Sequence, residues 1–358
     1  MSPRDDPLRA WVESRIAAGV MPGAVWQVRE EGRVLSRGAA GLAARFPEVI
    51  PTSESTPYDL ASLTKPLATA LVAVLLEQEG VLDLDRPAET WIDELHGSAY
   101  ETVSCVELGA HRAGLPDWRP LYLEVSSLEG YLYRIAAENP VVPRGEERYS
   151  DLGYILLGAA LERAAGQSLD SLFRERVAEP LDITARFVRG SDRVTGAAAT
   201  EVGNLYEQSI AGEEGTGYAW RTRPIRGEVH DGNAFALGGV AGHAGLFGTA
   251  EDVATIACEI LTPGLLSLGP EAHRRLLAPV GDRGERTFGF VLARGSDAAR
   301  DVLPETAPGH AGFTGTSLWL DPDRGRAYIY LTNRVHPEVV ETDFQAERRE
   351  FHRLAAAL

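Results

Sequence analysis

The chain has 358 residues, with 35 basic against 52 acidic side chains, a formal net charge of −17, and 44% hydrophobic and 24% charged content. That length can bury a large core in one elaborate domain or two, and the composition is ordinary for a globular protein. The negative balance argues against nucleic acid or an anionic membrane surface as a partner; the two cysteines, Cys105 and Cys258, are too few for a disulfide framework and are expected as buried free thiols.

The N-terminal Met1-Ser-Pro-Arg-Asp-Asp-Pro7 has no apolar export-signal core. No stretch approaches the roughly 18 apolar residues of a membrane span, so a cytoplasmic location is expected. Asp6-Pro7 ahead of Leu8, Trp11, Val12 and Ile16 predicts a capped amphipathic helix ending near Gly19. Residues 24–30 and 33–36 predict short strands around a Glu31-Gly32 turn. From 66 to about 280 the pattern is mainly helical. Leu67, Ala70, Leu71, Val74 and Leu75 form a buried rod that stops near Gly80. Tyr154 to Ala165 forms a second, closed by Gly166, and Ser168 starts a third that stops before Pro180. Thr249-Ala-Glu-Asp252 is a capping-box-like start for a helix carrying Val253, Ile256, Ala257 and Ile260.

Strands return over 287–293, 312–320 and 326–332, the last two flanking turn chemistry at Asp321-Pro-Asp-Arg-Gly325. A closing helix from Asp343 carries Phe344, Phe351 and Leu354. Strands at both chain ends around a helical middle predict an α/β (α+β) fold: one antiparallel sheet built from both termini, flanked by helices, with a mainly helical subdomain inserted. The expected division is 1–65 plus 281–358 for the sheet subdomain and 66–280 for the helical one, with a ligand site where they meet.

Thirty-four of the basic side chains are arginine; the single lysine is Lys65, in Ala61-Ser62-Leu63-Thr64-Lys65. A guanidinium stays protonated at any working pH, whereas a desolvated ammonium can lose its proton. Residues i and i+3 share a helix face, so the Lys65 amine can reach the Ser62 hydroxyl and activate it as a nucleophile. Ser-x-x-Lys also arises by chance around a solvated charge; the absence of any other lysine favours chemistry.

Three further segments bear on this pair. In Arg148-Tyr149-Ser150-Asp151, ahead of a helix near Leu152, Tyr149 is either a half-buried aromatic or a phenolate or proton relay, if nearby cations lower its pKa. In Pro308-Gly-His310-Ala-Gly312-Phe313-Thr-Gly-Thr-Ser317, small residues let a substrate backbone lie close and leave N–H groups as oxyanion donors. The run from Val229 to Phe247 holds five glycines with His230, Asp231 and His243. Its spacing fits no HExxH-like metal pattern, so loop packing with internally hydrogen-bonded histidines is expected, with no metal and no cofactor.

Ser-x-x-Lys, then Tyr-Ser-Asp, then His-Ala-Gly leading into a strand resembles the three motifs of the serine β-lactamase and penicillin-binding protein superfamily. The tyrosine variant is similar to the class C and family VIII esterase branch. The resemblance spans nearly the whole chain, including Pro22-Gly23-Ala24 and Leu108-Gly-Ala-His-Arg-Ala-Gly-Leu-Pro116. It implies Ser62 as acylated nucleophile, Lys65 and Tyr149 as its activators and proton carriers, and the Ser62 and Phe313 N–H groups as oxyanion donors. His310, Gly312 and Asp151 are implied to line the substrate site. Two positions depart from the pattern. Asp151 stands where Asn is usual, lowering the positive potential around Lys65; His310 and Ala311 stand where Lys and Thr are usual, removing the cation that would bind a β-lactam carboxylate.

The Val229–Phe247 run with Leu331-Thr-Asn-Arg-Val-His-Pro337 further resembles a branch that includes amidases cleaving the lactyl–L-alanine bond of N-acetylmuramyl peptides. The expected activity is a serine hydrolase acting on a small ester or amide substrate, esterase-like or muropeptide amidase-like. Cell-wall fragments and β-lactams are possible partners. The alternatives are β-lactamase or D-alanyl-D-alanine peptidase activity, or a catalytically weak ligand-sensing domain.

Overall fold

The computed structural model describes residues 6–281, 284–340 and 342–358. Its centre is a seven-stranded sheet of order β3-β2-β1-β12-β11-β10-β9, antiparallel throughout. The strands are β1 (Gly23–Glu30), β2 (Arg33–Ala44), β3 (Ile50–Pro51), β9 (Val291–Leu292), β10 (Pro308–Ala311), β11 (Ser317–Asp321) and β12 (Arg326–Thr332). β1 pairs directly with β12, Trp26 opposite Tyr330, so the two chain ends meet in the middle of the sheet as expected.

Both faces of these central strands are covered, and the period-two alternation assigns the side chains. Trp26, Val28, Trp319, Tyr328 and Tyr330 face the terminal helices Pro7–Ala17 and Phe344–Ala356, where Leu8, Val12 and Phe351 are buried. Val25, Leu318, Leu320, Ile329 and Leu331 face the large core of the helical body. The Ala250–Leu261 helix packs on β1 and β12 at this face, its start fixed by a Thr249–Asp252 capping box. Asp6 accepts the Leu8 N–H and caps the first helix as predicted.

Several strand boundaries differ from expectation. β2 runs on to Ala44, whereas the 287–293 strand shrinks to Val291–Leu292. The expected 312–320 strand is really the turn 312–316 and β11, and β10 precedes it. Gly312 and Gly315 cannot sustain a regular strand: the Gly312 N–H donates to the Thr316 carbonyl at 2.8 Å, and Gly315 has a φ of +111°.

Hydrophobic periodicity did not disclose five short strands, β4 (Tyr58–Asp59) just before the helical middle and β5 (Arg186–Phe187), β6 (Ala199–Val202), β7 (Pro224–Arg226) and β8 (Leu246–Gly248) within it. They form the small sheets β4-β8-β5 and β6-β7. Such two- to four-residue strands are held by their neighbours, so they leave no periodic signature. Both cysteines are free; Cys105 is buried and Cys258 only half-buried. Among the described residues no helix is long and apolar enough to cross a membrane.

Candidate active site

Ser62 lies in a tight 3₁₀ turn, Ala61–Leu63, directly after β4. The turn runs into a wider helical stretch, Lys65–Ala70, and then a regular helix, Leu71–Gln78. Pro66 lacks the N–H that a regular ladder would use, which fits the local widening. Ala61 adopts a left-handed φ of +48°, an unfavourable geometry for a residue with a Cβ. The Asp59 carboxylate holds it there by accepting the Ala61 N–H at 2.9 Å. Thr314 and Thr316 of the β10–β11 turn donate to the Asp59 and Leu60 carbonyls at 2.9 and 3.0 Å. A Cβ on Gly312 would sit 2.1 Å from Thr316 Oγ1 and 2.7 Å from the Leu60 carbonyl oxygen. That position is glycine because the turn presses against the serine's own segment.

The three sequence-predicted central residues come together. Lys65 Nζ is 3.0 Å from Ser62 Oγ, and the Tyr149 hydroxyl is 2.9 Å from the same oxygen. Lys65 is completely buried; its amine also donates to the His243 carbonyl at 3.0 Å and meets Asp151 Oδ1 at 2.7 Å. Burial is the largest influence and lowers the amine pKa; Asp151 opposes it, and the Arg286 cation reinforces it. Tyr149 is shifted the other way. Burial and then the Asp151 charge push its phenol well above the usual range. Of the roles left open for Tyr149, that direction favours the neutral phenol acting as a proton relay over the standing phenolate.

Helix capping explains how Tyr149 and Asp151 are aimed. Ser150 is the N-cap of the Asp151–Ala165 helix, accepting the Gly153 N–H at 3.2 Å, and Gly166 closes it with a φ of +62°. The Ser150 N–H donates to His111 Nδ1 at 3.0 Å, and the His111 ring lies 4.6 Å from the Tyr149 ring. His111 and Arg286, whose guanidinium sits 5.6 Å from the Tyr149 ring centroid, are site residues that sequence reasoning did not name. His111 belonged to a quoted motif and was within reach of it; Arg286, one arginine among many, carried no signal.

His310 lies on β10, its ring 6.1 Å from that of Tyr149 and its Nδ1 3.0 Å from the Ala311 carbonyl. Burial, then Lys65 and Arg286, hold its pKa well below the ordinary histidine value, so the imidazole is neutral. With Nδ1–H donating to that carbonyl, Nε2 carries the free lone pair. Phe313 follows in the turn, its ring stacked 5.6 Å from His230. The Gly312 N–H is committed to Thr316, so Gly312 contributes close approach rather than a donor.

A cleft of about 240 Å³ opens onto Ser62, lined by Asp151, Phe313, Trp118, Tyr206, Glu207, Asp231 and His243 among others. The Val229–Phe247 run forms much of it. Pairing of β4 with β8 docks the end of the run beside Ser62, and the Leu246 N–H donates to Thr64 Oγ1 at 3.1 Å. His243 Nε2 meets Asp231 Oδ1 at 2.8 Å, an internal bond of the kind expected, whereas His230 Nε2 pairs outside the run with Glu201 at 3.0 Å. Among the described residues, the groups with metal-ligand spacing are Glu89, His96 and Glu101, and Glu77, Asp83 and Asp85; none lines this cleft.

Comparison with known proteins agrees with this geometry. A family model described as Beta-lactamase matches residues 8–350. An N-acetylmuramyl-L-alanine amidase of Bacillus subtilis (strain 168) is 28% identical over 372 residues, covering 93% of this chain and 81% of that protein. Two solved structures share the fold: EstCE1, a hydrolase with promiscuous acyltransferase activity, at 22% identity, 97% coverage of both chains and a TM-score of 0.75; and a class C beta-lactamase from Rhodobacter sphaeroides, at 19% identity, 98% and 99% coverage and a TM-score of 0.74. With the fold built from both termini and a family match across nearly its whole length, this chain belongs to the beta-lactamase family.

Proposed function

We propose that the chain is a serine hydrolase that forms an acyl-enzyme on Ser62 and cleaves an amide or ester of a small substrate. The observation that carries this reading is the pair of contacts to Ser62 Oγ: the fully buried Lys65 amine at 3.0 Å and the Tyr149 phenol at 2.9 Å. Burial favours the neutral amine, which is the form that can take a proton from the serine.

Ser62 Oγ adds to the substrate carbonyl carbon as its proton passes to Lys65. The N–H groups of Ser62 and Phe313 hold the oxyanion. Tyr149 gives its phenolic proton to the departing nitrogen or oxygen and is reprotonated from Lys65; the C–N or C–O bond breaks and the acyl ester remains on Ser62. A water then attacks that ester, its proton passing to the neutral His310 or, through the Tyr149 hydroxyl, to the neutral Lys65 amine; the bond from the acyl carbon to Ser62 Oγ breaks, Oγ takes that proton back, and the acid leaves.

Among substrates, the lactyl–L-alanine amide of N-acetylmuramyl peptides and simple carboxylesters stand ahead of β-lactams. The amidase relative supports the first. The neutral His310 disfavours the last, and among the described residues lining the cleft there is no Lys or Arg to hold a β-lactam carboxylate. Turnover of a short-chain p-nitrophenyl ester, a MurNAc-dipeptide and nitrocefin by wild type, Ser62→Ala and Lys65→Ala tests the reading. Hydrolysis that survives both changes would refute it. Stoichiometric labelling without turnover would favour a ligand-sensing role.

A further inference from the structure

We propose that Arg348 is a positioning residue for the oxyanion hole: its guanidinium holds the carbonyl of the Gly312–Phe313 peptide, and so aims and strengthens the N–H at the other end of that same peptide. This rests on the serine-hydrolase reading, in which the Phe313 N–H receives the substrate oxyanion.

Arg348 stands on the closing helix, Phe344–Ala356, which covers the sheet face turned away from the helical body. Its Nη2 donates to the Gly312 carbonyl at 2.5 Å and to the Thr316 carbonyl at 3.2 Å, and its Nη1 donates to Gln345 Oε1 at 3.1 Å. The first of these contacts bears on the chemistry. The carbonyl of one residue and the N–H of the next form one planar unit, so holding the Gly312 oxygen fixes the direction of the Phe313 N–H. The Gly315 N–H adds a second bond to that oxygen at 3.1 Å. On the next peptide, Arg334 Nε donates to the Phe313 carbonyl at 3.1 Å. The Phe313 N–H itself makes no hydrogen bond among the described residues.

The charge on Arg348 is what a purely structural tie leaves without a purpose. The residue is 4% exposed, and every acceptor it reaches among the described residues is a neutral oxygen. Its Nε is also buried and has no partner there. Burial pulls its pKa down to about 9, which still leaves a cation at neutral pH. A neutral amide could tie a helix to a turn, whereas a buried cation facing no carboxylate is costly.

Acyl transfer gives that charge a use. A charged donor on the carbonyl oxygen polarises the peptide and makes its N–H a stronger donor. Negative charge growing on the substrate oxygen is then attracted to the cation behind the peptide, in a site of low dielectric. The attraction is small for an uncharged carbonyl and grows as the tetrahedral intermediate forms, so it acts on kcat more than on KM.

The test compares an oxygen ester with the matching thionoester, in which sulfur replaces the carbonyl oxygen and accepts hydrogen bonds weakly. The ratio of kcat/KM for ester over thionoester then reads the oxyanion hole. Arg348→Met removes the charge and the donors. It should slow the ester roughly tenfold to a hundredfold and the thionoester far less, so the ratio should fall about tenfold or more. Lys65→Arg is the control, slowing both substrates with the ratio unmoved. Arg348→Lys keeps a cation without the planar fork and should recover part of the ratio. Where the methionine variant does not fold, the lysine variant decides alone: a lowered ratio supports the role and a wild-type ratio overturns it. Equal slowing of both substrates by folded Arg348→Met, or wild-type rates on both, also overturns it. A wild type that hydrolyses neither substrate strikes the hydrolase reading and this role with it. Ser62-dependent hydrolysis with an unmoved ratio strikes the Arg348 role alone.

Discussion

Two glycine-rich segments, 308–317 and 229–247, reach the stretch that carries Ser62 and Lys65, and they serve it differently. The first belongs to the main sheet and braces the nucleophile's backbone: Thr314 and Thr316 hold the Asp59 and Leu60 carbonyls, and Gly312 lets the chains touch. The second belongs to the helical body and braces the base. The His243 carbonyl accepts from the Lys65 amine, and the Gly242 carbonyl accepts from Thr69 at 2.6 Å. Similar composition thus conceals a division of labour, one segment setting where the hydroxyl sits and the other where the amine sits.

That division can be broken from either side. Lys65→Arg should be the most damaging change. The guanidinium keeps its proton and cannot serve as a base, so kcat/KM for a p-nitrophenyl ester should fall about a thousandfold. Gly312→Ala should come next. Its Cβ would overlap Thr316 Oγ1 and the Leu60 carbonyl, shifting the Ser62 turn, and a displacement near 1 Å costs about a hundredfold in kcat. Gly242→Ala should instead show first as lost stability. Its Cβ would fall 2.0 Å from the Tyr154 carbonyl of the Asp151–Ala165 helix, an overpacking worth about 1–3 kcal/mol and read as a lower Tm. If Gly242→Ala abolished activity at unchanged Tm while Gly312→Ala only lowered Tm, the two roles would be reversed.

The smallest expected effect is a shift in pH dependence. Activity requires the neutral Lys65 amine, so the rate rises as pH passes upward through its pKa. The Asp151 charge favours the protonated amine and raises that pKa against the lowering by burial. Asp151→Asn should therefore move the acid limb of kcat/KM to lower pH, measured on an ester whose leaving group does not titrate there. A shift to higher pH would mean that Asp151 does not act through Lys65.

Much of this was legible in the chain because it was local. The Ser62–Lys65 spacing, the capping of the first helix by Asp6 and the Gly166 stop each depend on residues a few positions apart. Pairing between the terminal strands was readable because alternation and turn chemistry marked them. What escaped depends on distant partners. That Arg286 stands over Tyr149, that Glu201 rather than Asp231 takes the His230 ring, and that Trp118 faces the same cleft as His243 are facts of tertiary packing. Gly312–Thr316 misled for a different reason: its threonines look like strand formers, but their hydroxyls are spent on the Asp59 and Leu60 carbonyls and the glycines turn the chain. The choice among the roles left open for Tyr149 could not be made from the sequence, because burial, which a sequence does not display, outweighs the Arg286 cation and raises the phenol's pKa.

The most direct test is to trap the covalent intermediate. Wild-type protein and Lys65→Arg would each be quenched within the first turnovers on a slowly deacylated ester or treated with a fluorophosphonate, then mapped by peptide mass spectrometry. A single adduct on the peptide containing Ser62 in wild type, and about a thousandfold slower adduct formation with Lys65→Arg, is the expected result. An adduct on another residue, or equally fast labelling of Ser62 when Lys65 is Arg, would contradict a buried amine as the base that activates this serine.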